Sequence, residues 1–151
     1  MKVAVASDMD TPLARAVLDE LRERGHEPIP HGALTEDEDS QWAWASERAA
    51  RDVAGGGAEQ AIVCCWTGTG ASIAANKVEG VRAALCHDAA TARGARRWND
   101  ANVLALSLRT TSDAILGEIL DAWFEGKPSD DPTDRANVGH VAELDSRRER
   151  V

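Results

Sequence analysis

Long apolar runs are missing from this chain of 151 residues. None approaches the ~20 residues that a membrane-spanning helix needs, so no membrane partner is expected. The opening Met1-Lys-Val-Ala-Val-Ala6 lacks the extended apolar stretch and cleavage pattern of a secretory leader, and reads as a strand. Positive charge is also scarce. Lys and Arg number 17 against 26 Asp and Glu, a net charge of −9, which argues against nucleic acid as the main partner. There are three cysteines, two of them adjacent. That pattern excludes a disulfide framework and fits a cytoplasmic protein. No histidine pair has metal-ligand spacing and no Cys/His set reads as a zinc site, so neither metal nor cofactor is expected. Ser72 has no His and Asp partners for a nucleophilic triad. Internal repeats and low-complexity segments are absent.

What remains is enough for one domain, residues 1–151, with a full core. Lys2 to Ala6 reads as a buried strand. Thr11 and Pro12 read as the N-cap and first position of a helix that carries Leu13, Val17, Leu18 and Leu21 and stops at Gly25. Glu27 to Pro30 is a second strand and His31 to Asp39 an acidic loop. Ser40 to Val53 is a helix bearing Trp42 and Trp44, closed by Gly55 to Gly57. Ala61 to Cys64 is the third strand, Val81 to Cys86 the fourth and Val103 to Leu106 the fifth. Between and after them lie helices over Ala89–Trp98 and Thr111–Phe124. Asp134 to Arg150 is a final helix, too polar for a monomer's core and suited to a second subunit. Strands alternating with helices predict a parallel sheet covered on both faces. Ligands of such sheets bind beyond the carboxyl ends of the strands.

The chain centres on Ala61 to Lys77, where an apolar strand breaks into Thr67-Gly68-Thr69-Gly70 and a helix follows at once. That layout points main-chain N–H groups and the positive end of the helix dipole at one place, a site for an anion. Cys65 lies where the strand ends. Cys64, inside the strand, reads as a small buried hydrophobe, and Cys86 as structural. Cys65 sits at a helix N-terminus, a position that favours the thiolate. Gly68 and Gly70 partly match a dinucleotide fingerprint, but Ile73 occupies the third glycine's place and the turn follows the third strand. With Asp88 about 20 residues on, a nucleotide-binding reading stays open. Asp8 reads as a cap or a pocket acid. Arg109 and Arg135 could hold a phosphate, while Arg93, Arg96 and Arg97 read as a surface patch. Helix-end packing accounts for Trp98; Trp66, in the loop, reads equally as a ligand wall.

From Val63 to Arg109 the chain resembles the ribose-5-phosphate isomerase B and galactose-6-phosphate isomerase family. The matching stretches are Cys65-Trp-Thr-Gly-Thr-Gly-Ala-Ser-Ile-Ala-Ala-Asn-Lys77, Gly80-Val-Arg-Ala83 and Asn99-Asp-Ala-Asn-Val-Leu-Ala105, with Arg109. The resemblance implies a three-layer α/β/α sandwich with a five-stranded parallel Rossmann-like sheet and a C-terminal helix. It implies a homodimer, possibly paired into a tetramer, with active sites at the subunit interface. The implied reaction is aldose–ketose isomerisation of a sugar phosphate through an enediolate. On that resemblance Cys65 is the proton-shuttling base and Thr67 assists transfer between oxygens. Gly68, Thr69, Gly70, Ala71 and Ser72 form the anion hole. Asp8 and Asn99 contact substrate hydroxyls, and Arg109 and Arg135 the phosphate.

The chain departs from the family pattern at four positions. Met9 and Trp98 stand where the family carries histidines, the second of which opens the sugar ring, and on the resemblance both, with Trp66, take substrate-binding positions. Trp66 replaces the first glycine of the turn, and Gly139 a second phosphate-binding arginine. An indole cannot act as acid or base on a ring oxygen. The expectation is therefore an isomerase whose substrate needs no ring opening, such as a four-carbon sugar phosphate. A non-catalytic sugar-phosphate or nucleotide binder with the same fold is the alternative. Thiol redox chemistry at Cys64-Cys65 ranks below both, for want of a two-residue spacer.

Overall fold

A computed structural model describes residues 1–148. Its sheet is built from β1 (Lys2–Ser7), β2 (Glu27–Gly32), β3 (Gln60–Cys65), β4 (Ala83–Leu85) and β5 (Val103–Ser107). All pairs are parallel, in the order β2-β1-β3-β5-β4. Helices α1 (Pro12–Glu23), α2 (Trp42–Ala54), α3 (Thr69–Asn76), α4 (Ala89–Asn99), α5 (Asp113–Glu125) and α6 (Pro132–Arg148) complete it. The α/β/α sandwich is as expected.

Side chains on a strand alternate between faces, and here the two faces differ in bulk. Val3, Val5, Ile62, Cys64, Leu104 and Leu106 pack with the leucines of α1 and α5 and the alanines of α4. Ala4, Ala6, Ala61, Val63, Cys65 and Ala105 meet the alanines of α2 and α3. Small residues on both sides let α2 and α3 lie close to the sheet. A Cβ on Gly32, at the end of β2, would fall 2.6 Å from Ala45 Cβ of α2. The same alternation separates the adjacent cysteines: Cys64 faces the leucine layer and Cys65 the alanine layer.

On the leucine side, Trp123 is fully buried and its indole N–H donates to Gln60 Oε1 at 2.8 Å. Arg96 lies over the Trp123 ring at 5.5 Å, and its guanidinium donates to the Ala101 carbonyl. So Arg96 is not a surface charge, as the grouping with Arg93 and Arg97 suggested. Its alkyl stem and planar head cover a core aromatic.

Several element ends move by a few residues. Thr11 caps α1 through Oγ1 to the Ala14 N–H, with Pro12 at the first position as expected. β4 is only Ala83–Leu85, shorter than the apolar run, and pairs with β5 alone at the sheet edge. The final helix begins at Pro132, ahead of Asp134; its expected last residues, Glu149 and Arg150, lie outside the described residues, as does Val151. No residue of α6 is buried. Polar contacts tie it to its own chain, from the Gly80 N–H to Asp145 Oδ2 at 2.9 Å and from Arg148 to the Asn76 carbonyl at 3.4 Å. Among the described residues, no helix is long and apolar enough to cross a membrane.

Candidate active site

The chain turns one way from β1 to β2 and the other way to β3, so β1 and β3 flank the point where the order reverses. Their carboxyl ends lie side by side, with Ser7 in register with Cys64. Asp8 leaves β1 there and Cys65 ends β3. The turn that follows depends on Gly68, which has φ +79° and caps α3. A Cβ on Gly68 would meet Leu85 Cδ1 at 2.5 Å and the Leu106 carbonyl carbon at 2.9 Å. Only glycine accepts both that backbone and that approach. The loop after β5 fixes the loop after β3 from below. Trp66 O accepts from the Arg109 N–H and from Ser107 Oγ, each at 3.0 Å.

Cys65 is 5% exposed, and its Sγ accepts the Ala71 N–H of α3 at 3.4 Å. The Ser72 N–H closes onto Gly68 O at 3.1 Å. That narrows the expected donor set, because α3's own first turn engages Ser72 and the thiol engages Ala71. Thr69 and Gly70 head the helix, where N–H groups lack intrahelical acceptors. The two hydroxyls of Thr67 and Thr69 lie 2.8 Å apart. Cys65, Asp8, Thr67, Thr69, Gly70, Trp66 and Trp42 together line a cavity of about 270 Å³.

Charge in this cavity is tuned by burial. Burial pushes the Asp8 carboxyl above its usual range, against a smaller opposite effect from a backbone hydrogen bond. Its Oδ1 is buried with no hydrogen-bond partner among the described residues. Capping is done by Thr11, and Asp10 pairs with Arg15 at 2.7 Å, so Asp8 is spared for the cavity. Burial, with Cys65 and Asp8 adding to it, pushes the Cys64 thiol up to about 12, and burial does the same to Cys86.

Sequence reasoning missed Trp42. It is the first residue of α2, and its indole lies against Gly70. The helix after β2 must start at the carboxyl edge of a parallel sheet, a rule that brings its first turn near the site without saying which side chain faces it. Met9 is exposed beside Asp8 and does not line the cavity. Trp66 is 51% exposed at the rim. Trp98 is 57% exposed, so the packing account of it fails; it stands at the end of α4 with its ring against Gly94. Trp98 and Asn99 line a separate hollow of about 600 Å³ between α4, β4 and α6. Arg135 lines a neighbouring one with Trp98. Arg109 is exposed in the loop that braces Trp66. Within one chain these groups do not join the Cys65 cavity. Asp88, the acid a nucleotide site would use, caps α4 by accepting the Thr91 N–H at 2.7 Å.

A thiol and a main-chain donor turn at the switch point of a doubly wound sheet define a Rossmann-like protein equipped for an anionic small molecule. The chain belongs to the ribose/galactose isomerase family, whose model matches residues 3–140, a family of sugar-phosphate isomerases. It is 38% identical over 112 residues to ribose-5-phosphate isomerase B of Escherichia coli, covering 74% of each chain. Over a shorter span of 69 residues it is 44% identical to D-erythrulose-4-phosphate isomerase of Pectobacterium atrosepticum, 46% of this chain and 45% of that one. Among solved structures, ribose-5-phosphate isomerase B of Clostridium thermocellum superimposes with a TM-score of 0.89 at 34% identity. That match covers 98% of this chain and 99% of the other.

Proposed function

We propose that the chain interconverts an aldose phosphate and its ketose through a cis-enediolate, with Cys65 as the base. The Cys65 thiolate takes the proton from C2, the electron pair moves to the C1 carbonyl, and the same sulfur returns the proton to C1. Thr67 passes a proton between the two oxygens. The N–H groups at the head of α3 hold the oxyanion, an arrangement worth roughly 3–4 kcal/mol per donor in comparable sites. The observation that carries the reading is the Ala71 N–H donating to Cys65 Sγ at the edge of a cavity shared with Thr67.

The substrate on this reading is one that needs no ring opening, a four-carbon sugar phosphate. The cavity's lining includes no imidazole, and Trp98 supplies no titratable proton where the family carries its ring-opening histidine. The relative named D-erythrulose-4-phosphate isomerase supports a substrate of that length. We propose further that two copies assemble. The exposed Trp98, Val141 and Leu144 and the unburied α6 support this, as does the distance of Asn99 and Arg135 from Cys65's cavity. A second copy would bring Asn99 and a phosphate-binding arginine to the site.

The test is a panel of four-, five- and six-carbon aldose phosphates, with ketose formation followed directly. Turnover of the four-carbon members is the expected result. A folded protein that turns over none of them, but is stabilised by them in a thermal-shift assay, is a binder instead.

A further inference from the structure

We infer that Trp42 sets the length of substrate that the site accepts. This rests on the isomerase reading above. A wall that measures length must be large, fixed and placed against the binding groups, and Trp42 meets each condition. Its indole borders the cavity that holds Cys65 and Thr67. A Cβ on Gly70 would lie 2.9, 3.0 and 3.3 Å from indole atoms Cε3, Cδ2 and Cζ3, so the ring rests on the glycine at the head of α3. Contact that close explains why position 70 carries no side chain.

The wall is fixed because its helix is fixed. Ala45 and Ala49, one and two turns into α2, are buried on the alanine face of the sheet. The close approach of Ala45 to Gly32 leaves no slack at the end nearest the cavity. At the other end of α2, Asp52 accepts from or pairs with His31 Nε2 at 2.6 Å. Trp66 is held by its backbone alone, through its carbonyl to Arg109 N–H and Ser107 Oγ. Both indoles are partly exposed, 43% for Trp42 and 51% for Trp66, but only Trp42 rests its ring on the head of α3. A substrate chain that extends past the enediol carbons therefore meets a rigid surface at Trp42. Each carbon too many costs contact or forces the ring away from Gly70.

The experiment compares the parent, Trp42→Phe and Trp42→Ala on four- and five-carbon aldose phosphates. The quantity read is kcat/KM for the five-carbon compound divided by that for the four-carbon one. A rise of at least ~10-fold in Trp42→Ala is expected, since a carbon's worth of fit in a pocket is worth that much. Trp42→Phe should fall between. A ratio within twofold of the parent overturns the inference while leaving the isomerase reading intact. Should the parent turn over neither compound, the isomerase reading fails, and the same ratio is read from binding constants measured by calorimetry. Equal discrimination by parent and Trp42→Ala then overturns the inference. If Trp42→Ala does not fold, Trp42→Phe alone decides, with a change below twofold as the overturning result.

Discussion

The Ala71 main-chain N–H points at Cys65 Sγ from 3.4 Å. A donor at a helix N-terminus holds that sulfur in one orientation. Cys65→Ala removes that sulfur from a nearly closed position without touching the strand pairing. The expected result is a loss of kcat by ~10²–10⁴, the usual worth of a positioned base. The melting temperature should change by no more than a few degrees. Full activity in Cys65→Ala would end the proton-shuttle assignment.

On the proposed reading, Asp8 trades stability for activity. Its folded-state pKa is raised by burial. An acid that is harder to ionise when folded penalises the folded state as pH rises through its titration. Asp8→Asn removes that penalty while keeping the shape. At pH 8 its melting temperature should equal or exceed the parent's, while kcat/KM falls about tenfold, roughly the loss from one charge-assisted hydrogen bond. A clear drop in melting temperature would show that the carboxylate stabilises the fold instead.

The turn glycine has no substitute. Gly68→Ala adds a carbon into Leu85 and the Leu106 backbone at φ +79°. Strain of this kind costs about 1–3 kcal/mol, several degrees of melting temperature for a domain of this size. Differential scanning calorimetry measures it. An unchanged transition would mean that the turn relaxes and that its geometry is not imposed.

Glu38 gives the pH dependence of the α2 anchor. Burial by itself would raise its pKa, but the Gly32 N–H, His31 and Arg48 outweigh burial and hold it below the usual glutamate range. A depressed acid stabilises the fold above its unfolded pKa, and that stability is lost as pH falls through the folded value. Glu38→Gln should therefore have a lower urea midpoint than the parent at pH 7. The gap should narrow as pH falls toward and through that depressed folded value, and so be smaller at pH 3 than at pH 7. A gap of equal size at both pH values would assign the loss to packing.

The fold was legible because its signals are local. Alternating strand and helix patterns, Thr11-Pro12 and the break at Gly68 each act within a few residues, and all hold in the structure. Cys65 and Asp8 were legible for a related reason, since strand ends in a parallel sheet meet at one edge. Trp42 and Arg96 were not. Their roles depend on which residue faces them across the sheet or the helix pair, and periodicity carries no such information. Core packing, the plain account of Trp98, does not hold, and a large aromatic at a helix end gives no sign in the sequence of which way it turns.

Adjacent sulfurs on opposite faces of β3 make the catalytic proposal sensitive to a one-residue slip of the strand. Deleting one residue between Gln60 and Ile62, or inserting one, would exchange their orientations and present Cys64 to α3 in place of Cys65. Such a protein would keep every side chain named in the site, yet its chemistry would pass to a different atom.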